Sequence, residues 1–194
     1  IKLKEQQKRH LHKIEVQLKT DFADLFNQWS KSRLQRLCEN GKLQIFKKQG
    51  STIYEEGDVN NAVYFILSGG ISLNTKVILR STTVIPTADR SKTLRNIKDT
   101  VKRVHLSKLT RGSYFGETGM IFFQKQANRR VEYEEFRSHN ATSTEDNTKI
   151  FCINDKEAAR LLDSAGAIRT MLKTALFFDK NKVAADYALK RKEK

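Results

Sequence analysis

Gly112-Ser113-Tyr114-Phe115-Gly116-Glu117-Thr118-Gly119 sets small residues, one acid and a helix start directly after a strand-like run that ends at Leu109. A strand that ends in glycines and passes into a helix presents unpaired backbone N–H groups, and the helix dipole adds to their pull on an anion. The octet therefore reads as a phosphate cradle. Glu117 is the odd member, because a carboxylate repels phosphate; beside a nucleotide it would accept hydrogen bonds from a sugar hydroxyl. On its own the octet also allows a tight turn followed by a helix-capping acid.

On either side of this loop the apolar pattern has the period of strands. From Lys42 the chain reads Leu43, Ile45 and Phe46, then Gln49-Gly50, then Thr52-Ile53-Tyr54, then Gly57-Asp58, with turns every few residues. Ala62 to Leu67 is a longer apolar run bounded by Asn60-Asn61 and Gly69-Gly70, with Ile71-Ser72-Leu73 expected as its hairpin partner. Strand signals return from Val101 to Leu109, at Ala141-Thr142-Ser143 and from Ile150 to Ile153. Short strands at this spacing indicate an antiparallel barrel or roll.

Helices flank the strands. Leu11, Ile14, Leu18, Phe22, Leu25 and Trp29 follow steps of three and four, so the first thirty residues are expected as one helix with a single apolar stripe. Ser30 can cap a second, shorter helix through Leu34, Leu37 and Cys38, which Asn40-Gly41 is expected to stop in the left-handed conformation. After the strands, Asn154 or Asp155 can cap a run with Ala158, Leu161 and Leu162, and Ile168, Met171, Leu172, Ala175 and Leu176 draw a further apolar face. Three regions result: helical residues 1–41, a β-roll over 42–154, and C-terminal helices with a basic tail over 155–194.

The formal net charge is +15, but it is unevenly spread. Residues 1–20 carry +4, residues 76–111 carry +8 and residues 180–194 carry +4, leaving −1 for the rest. Such a pattern fits tails and an insertion that meet an acidic protein partner, with solvated charge as the plainer alternative. Few aromatics interleave with the basic residues, which argues against single-stranded nucleic acid. One helix and a tail after the roll are too little for a helix-turn-helix. No run of eighteen apolar residues and no signal peptide is visible, so the reading is a soluble, intracellular, cytoplasmic chain without a membrane role, compatible with a cytoskeletal or ciliary setting. It begins at Ile1 rather than Met, as a segment of a longer protein would. Cys38 and Cys152 are isolated in apolar surroundings and read as buried free thiols. His10, His12 and His105 lack nucleophile, base or metal-ligand partners at suitable spacing, so neither an enzyme nor a metal site is expected.

The order helix, Gly50-x-x-Ile53-x-x-x-Gly57-Asp58, Val63-Tyr64-Phe65-Ile66-x-x-Gly69, Leu109-x-x-Gly112-x-Tyr114-Phe115-Gly116-Glu117, Ala141-Thr142, helix resembles the cyclic nucleotide-binding domain family over roughly Phe22 to Phe178. The resemblance implies an eight-stranded antiparallel, jelly-roll-like β-roll with an N-terminal helical hairpin and C-terminal lid helices. It also implies cyclic AMP or cyclic GMP as the ligand and no other cofactor. By position, the amides after Gly116, at Glu117, Thr118 and Gly119, would face the cyclic phosphate and Glu117 the ribose 2′-hydroxyl. Met120, Ile121 and Phe122 would anchor a short helix in the roll, and Phe177, Phe178 or Tyr187 would cap the base.

Two departures from the family pattern bear on function. Binding members place an arginine two residues before the Ala141-Thr142 pair, where this chain has His139, followed by Asn140. Losing a bidentate, charge-assisted contact costs about 2–4 kcal/mol, roughly a hundred-fold or more in affinity. The extended loop 124–138 carries Arg129, Arg130 and Arg137, any of which could substitute at the phosphate, although arginines in a polar loop are commonly just solvated. The second departure is a basic insertion at about 75–99, expected as a helical face, a disordered arm or a surface loop. The expected function is a non-enzymatic domain of cyclic nucleotide-binding type, degenerate in ligand binding, that docks or regulates within a larger assembly. A working cyclic AMP or GMP sensor closed by its C-terminal helices is the alternative.

Overall fold

The apolar stripe at steps of three and four winds the start of the chain into helix, and a break at Phe22 redirects it. The computed structural model describes residues 2–86, 93–118, 136–162 and 171. Helix α1 (Lys2–Asp21) is followed by the single-turn α2 (Ala23–Phe26) and by α3 (Lys31–Asn40). The expected unbroken helix over the first thirty residues is thus corrected. At Phe22 the backbone leaves helical geometry, with φ −124° and ψ 45°. This turn lets Phe22 and Phe26 both reach Phe65, with ring centroids 5.1 and 5.6 Å away, while Trp29 meets Phe26 edge-on.

Ser30 caps α3 as expected, its hydroxyl accepting from the Arg33 amide. The stop differs from the expectation. Gly41 has φ −93° and ψ 172°, so it is extended rather than left-handed. Its glycine is required by close approach, because a Cβ there would stand 2.0 Å from the Phe151 ring. The chain thus passes against the sheet with no room for a side chain.

Eight strands follow among the described residues. They are β1 (Lys42–Phe46), β2 (Thr52–Tyr54), β3 (Ala62–Ser68), β4 (Gly70–Pro86), β5 (Thr93–Thr110), β6 (Tyr114–Phe115), β7 (Asn140–Ser143) and β8 (Thr148–Asn154). Two four-stranded antiparallel sheets result, in the orders β1-β8-β3-β6 and β2-β7-β4-β5. This is the expected antiparallel roll. One pairing expectation is corrected: Ile71-Ser72-Leu73 does not return along β3. The chain crosses between sheets at Gly69, and β4 pairs instead with β5 and β7. The insertion is corrected too: its described residues, 75–86 and 93–99, are strand rather than helix or loose arm. Its strands pair from Gly70↔Thr110 to Pro86↔Thr93 with one register shift between Leu73 and Asn74, so that β5 begins eight residues before the expected Val101.

Each sheet helps to bury a separate apolar cluster. Ile14, Leu18, Phe22, Phe26, Leu34 and Leu37 of the helices pack with Val63, Phe65 and Phe151, and Ala158, Ala159 and Met171 join them. Tyr54, Tyr64, Ile66, Ile71, Leu73, Phe115, Ala141 and Ile150 fill the other, inside the roll. The alternation along β3 sends Val63 and Phe65 to the first cluster and Tyr64 and Ile66 to the second. Asn154 caps α4 (Asp155–Leu161) through its side chain, and Arg33 of α3 donates to the Leu161 carbonyl at the other end, from Nε at 2.9 Å. Cys38 is buried and its thiol is pushed up to about 12 by burial, then by Glu15 and Glu39; Cys152 is half-buried, less enclosed than expected, and both are free.

The helices are tied to the glycine loop by a few polar contacts. Gln17 donates to the Leu67 carbonyl at 2.6 Å, and Arg111 forks onto Asp21 through Nε and Nη2, each at 2.8 Å. The Arg111 hydrogen bond holds the Asp21 carboxyl below its ordinary value; burial opposes this and Gln17 reinforces it. The stabilisation from this pair is therefore complete above the ordinary carboxylate range and is lost as pH falls through the lowered native value. Because Arg111 is largely exposed, solvent screening keeps the pair's contribution small. In urea unfolding, Arg111→Gln is expected to be slightly less stable than the parent at neutral pH and equal to it once Asp21 is protonated. A deficit of the same size at all pH values would contradict this assignment.

Candidate functional site

The site is built where the ends of three strands and one returning segment meet. The loop after β5 is fixed to β3 by two backbone bonds: Gly112 N donates to Ile66 O at 3.1 Å and Ile66 N to Ser113 O at 2.9 Å. β6 then lays Tyr114 and Phe115 beside Phe65 and Tyr64, the Phe115 and Tyr64 rings stacking at 5.0 Å. Gly116 follows with φ +80°, a conformation that favours glycine. Space requires glycine here as well. A Cβ would lie 2.5 Å from Arg137 Nη1 and 2.8 Å from the Ala62 carbonyl.

Arg137 reaches the loop because its backbone is paired far along the chain. Arg137 N donates to Asp58 O at 2.7 Å, Gly57 N donates to Arg137 O at 2.9 Å, and Val59 and Phe136 form a bridge beside them. The side chain turns inward and is only 4% exposed. Its Nη1 donates to Gly116 O at 3.2 Å and its Nη2 to Ala62 O at 2.7 Å. The guanidinium carbon lies 4.3 Å from the centroid of the Tyr54 ring and 5.3 Å from that of Tyr64. Two carbonyls and two aromatic faces thus replace part of the water a buried cation gives up, while the buried Nε has no hydrogen-bond partner among the described residues.

The expected site residues fall into three groups. Gly116, Glu117 and Arg137 are brought together: Glu117 is 2% exposed, and it acts with Arg137 on the Tyr54 hydroxyl, the cation favouring its ionised form and the carboxylate opposing it. Burial dominates and pushes both Tyr54 and Tyr64 upward, so the phenols stay neutral. His139 is adjacent but turned to a different task. Its Nε2 shares a 2.8 Å hydrogen bond with Tyr54 Oη, and its Nδ1 lies 3.1 Å from Ser138 Oγ. It therefore buttresses the tyrosine on which Arg137 stacks.

The second group serves the framework. Asn140 accepts from the Glu56 amide at 2.9 Å and donates to the Asn74 carbonyl at 3.2 Å, joining the β2 end to β4. Ala141 is fully buried and Thr142 pairs with Thr52 and Ser72 across the sheet. Thr118 accepts from Asn60 Nδ2 at 2.6 Å, so this loop position is held by a side chain from the β2–β3 connection. Gly119, Met120, Ile121, Phe122, Arg129, Arg130, Phe177, Phe178 and Tyr187 form the third group and lie outside the described residues.

Tyr54, Tyr64 and Asn60 belong to the site but not to the expected set. The available signal was strand alternation, which places Tyr54 and Tyr64 on the interior face near the loop. Among the described residues no cluster of three metal-ligating side chains occurs, and no helix is long and apolar enough to cross a membrane.

Comparison with known proteins bears on the fold. A scan against family models and a search of curated proteins return no match. Solved structures do match. The regulatory domain of Toxoplasma gondii PKA, in a co-crystal with cAMP, aligns at 16% identity and a TM-score of 0.59 over 87% of this chain and 50% of that one. The sensor domain of the transcriptional regulator DNR from Pseudomonas aeruginosa gives 15% and 0.57 over 91% and 95%. The regulatory subunit of a cAMP-independent protein kinase A from Trypanosoma cruzi, bound to guanosine, gives 14% and 0.57 over 93% and 52%. This chain therefore spans about half the length of the two kinase-associated chains. At these identities the likeness concerns the fold: the chain has the β-roll of the cyclic nucleotide-binding domains.

The geometry makes Arg137 an internal strut. Arg137→Met keeps much of the side-chain volume but leaves the Gly116 and Ala62 carbonyls without a donor, and it is expected to lose about 2–4 kcal/mol in chemical denaturation. A loss below about 0.5 kcal/mol, the range of a solvated surface arginine, would contradict the burial described above.

Proposed function

We propose that this chain is a non-enzymatic module of cyclic nucleotide-binding fold that docks or regulates within a larger assembly, with its own Arg137 filling the position where a ligand would engage the loop. One observation carries the reading: a guanidinium that is 4% exposed, stacked on Tyr54 and bonded to Gly116 O and Ala62 O, has no face turned to solvent for a phosphate to reach. His139, at the cassette position where the resemblance expects the forked arginine, is engaged with Tyr54. Among the described residues, the cassette thus retains Gly116 and Glu117 but not an accessible cation. The basic insertion and the Lys-rich ends supply surface for an acidic protein partner.

A second reading has its own support. Arg137 Nη1 lies at the Gly116 carbonyl, so a rotation that releases Ala62 O would bring a cation to the loop amides, and the chain would act as a cyclic AMP or GMP sensor. Because the Trypanosoma cruzi structure contains guanosine, a phosphate-free nucleoside belongs in the same test.

Thermal unfolding of the purified chain with cyclic AMP, cyclic GMP or guanosine separates the readings. A ligand at a hundred times its Kd adds about 2.7 kcal/mol to stability, a shift of several degrees. No shift is expected for the parent protein at millimolar ligand, and a gain is expected in His139→Arg, which places a guanidinium at the cassette position. A shift of several degrees in the parent with either cyclic nucleotide would overturn the docking reading in favour of the sensor.

A further inference from the structure

From Thr75 outward β4 pairs only with β5 among the described residues, because its pairing with β7 ends at Asn74↔Asn140. The twelve residues from Thr75 to Pro86, at about 3.3 Å each, carry this two-stranded ribbon about 40 Å. A two-stranded ribbon is marginal by itself in water and gains stability by packing against a further strand or a helix. On one face of this ribbon the β4 half is already packed: Val77 and Leu79 are 6% and 3% exposed, while Lys102 and Thr100 across from them are exposed.

The opposite face is not. Ile78 and Val101 stand directly across from each other at 60% exposure each, and Ile97, four register positions further out, is 56% exposed. Ribbons with one packed face normally turn polar side chains to water on the other, so three open β-branched residues on this face run against the rule. The pair Lys76↔Arg103 lies on the root side of Ile78 and Val101. On the tip side Arg80 is neutralised by Asp99, with both bonds at 2.9 Å. Over Thr75–Pro86 and Thr93–Val104 the two strands carry six basic residues and one acidic.

We infer that the Lys76, Ile78, Val101 and Arg103 face of the β4–β5 ribbon docks an amphipathic helix of a partner protein, with an apolar stripe flanked by Asp or Glu. This rests on the docking reading above and names its surface. Two strands about 4.8 Å apart form a face roughly 10 Å wide, which matches one helix laid along it. The charge selects the partner's sign. A second copy of this chain would bring +15 of like charge to the same place, which disfavours self-association. The exposed apolar residues are short and branched, without the Trp or Tyr that anchors surfaces in a lipid interface.

The test uses the full chain and a labelled synthetic twenty-residue helical peptide carrying a Leu stripe flanked by Glu, with a twin in which Lys replaces Glu, read by fluorescence anisotropy. The Glu peptide is expected to bind and the Lys twin to show no binding. Ile78→Ser with Val101→Ser is expected to weaken binding about ten-fold or more, and Lys76→Glu with Arg103→Glu to abolish it. All four positions are on the ribbon surface, and circular dichroism melts establish that the variants fold. Equal binding of the Glu peptide by the serine variant would reduce the effect to unspecific charge and overturn the proposal. So would no binding of the Glu peptide, or binding of phosphatidylserine vesicles in its place. The nucleotide response of these variants is expected to equal the parent's, so a failure here is distinguishable from a failure of the docking reading itself.

Discussion

A guanidinium buried inside a β-roll is tolerated only where fixed groups replace its water, and that requirement organises this structure. Arg137 meets most of it, Nε apart, with the Gly116 and Ala62 carbonyls and with the faces of Tyr54 and Tyr64. Those four groups come from β2, β3 and the loop after β6, so one side chain fixes the relative position of three separate pieces of backbone. Glu117, also buried, places the opposite charge in the same region and acts on the same tyrosine hydroxyl. The arrangement behaves as a unit, in which removing one member exposes the cost of the others.

The two apolar clusters separate this unit from the helices. Helices α1, α3 and α4 pack on the outer face of one sheet, around Phe65 and Phe151, while Tyr54, Tyr64 and Phe115 pack inside the roll. Alternation along β3 is the only partition needed, since neighbouring residues face different clusters. Two polar contacts join the two even so: Gln17 of α1 donates to the Leu67 carbonyl just before the chain crosses between sheets at Gly69, and Arg111, at the start of the glycine loop, forks onto Asp21 at the end of α1.

Much of this was legible in the sequence where the signal was local. The octet from Gly112 to Gly119, the turn pairs Asn60-Asn61 and Gly69-Gly70, and the period-two runs marked a roll, and Ser30 and Asn154 marked helix starts. What stayed hidden depended on distant partners. Arg137 sits in a polar stretch that reads as solvated, and only its pairing with Asp58 and Gly57, some eighty residues earlier, turns it inward. The insertion looks loose in sequence because its Lys and Thr residues suggest solvent; the apolar positions Val77, Ile78 and Leu79 acquire meaning only once β5 lies beside them. Gly41 was read as a left-handed stop because that is the common role of glycine after a helix, whereas here the Phe151 ring sets the demand.

In the function proposed above, Arg137 rather than a nucleotide completes the glycine loop. Nitrogen-15 NMR of the protein labelled at arginine observes that guanidinium directly, since burial slows its proton exchange and the rings of Tyr54 and Tyr64 shift its signals. One slowly exchanging, ring-shifted guanidinium is expected, absent in Arg137→Met and unmoved by millimolar cyclic AMP. A fast-exchanging signal without ring shifts, or one that moves on addition of cyclic AMP with saturation, would contradict it.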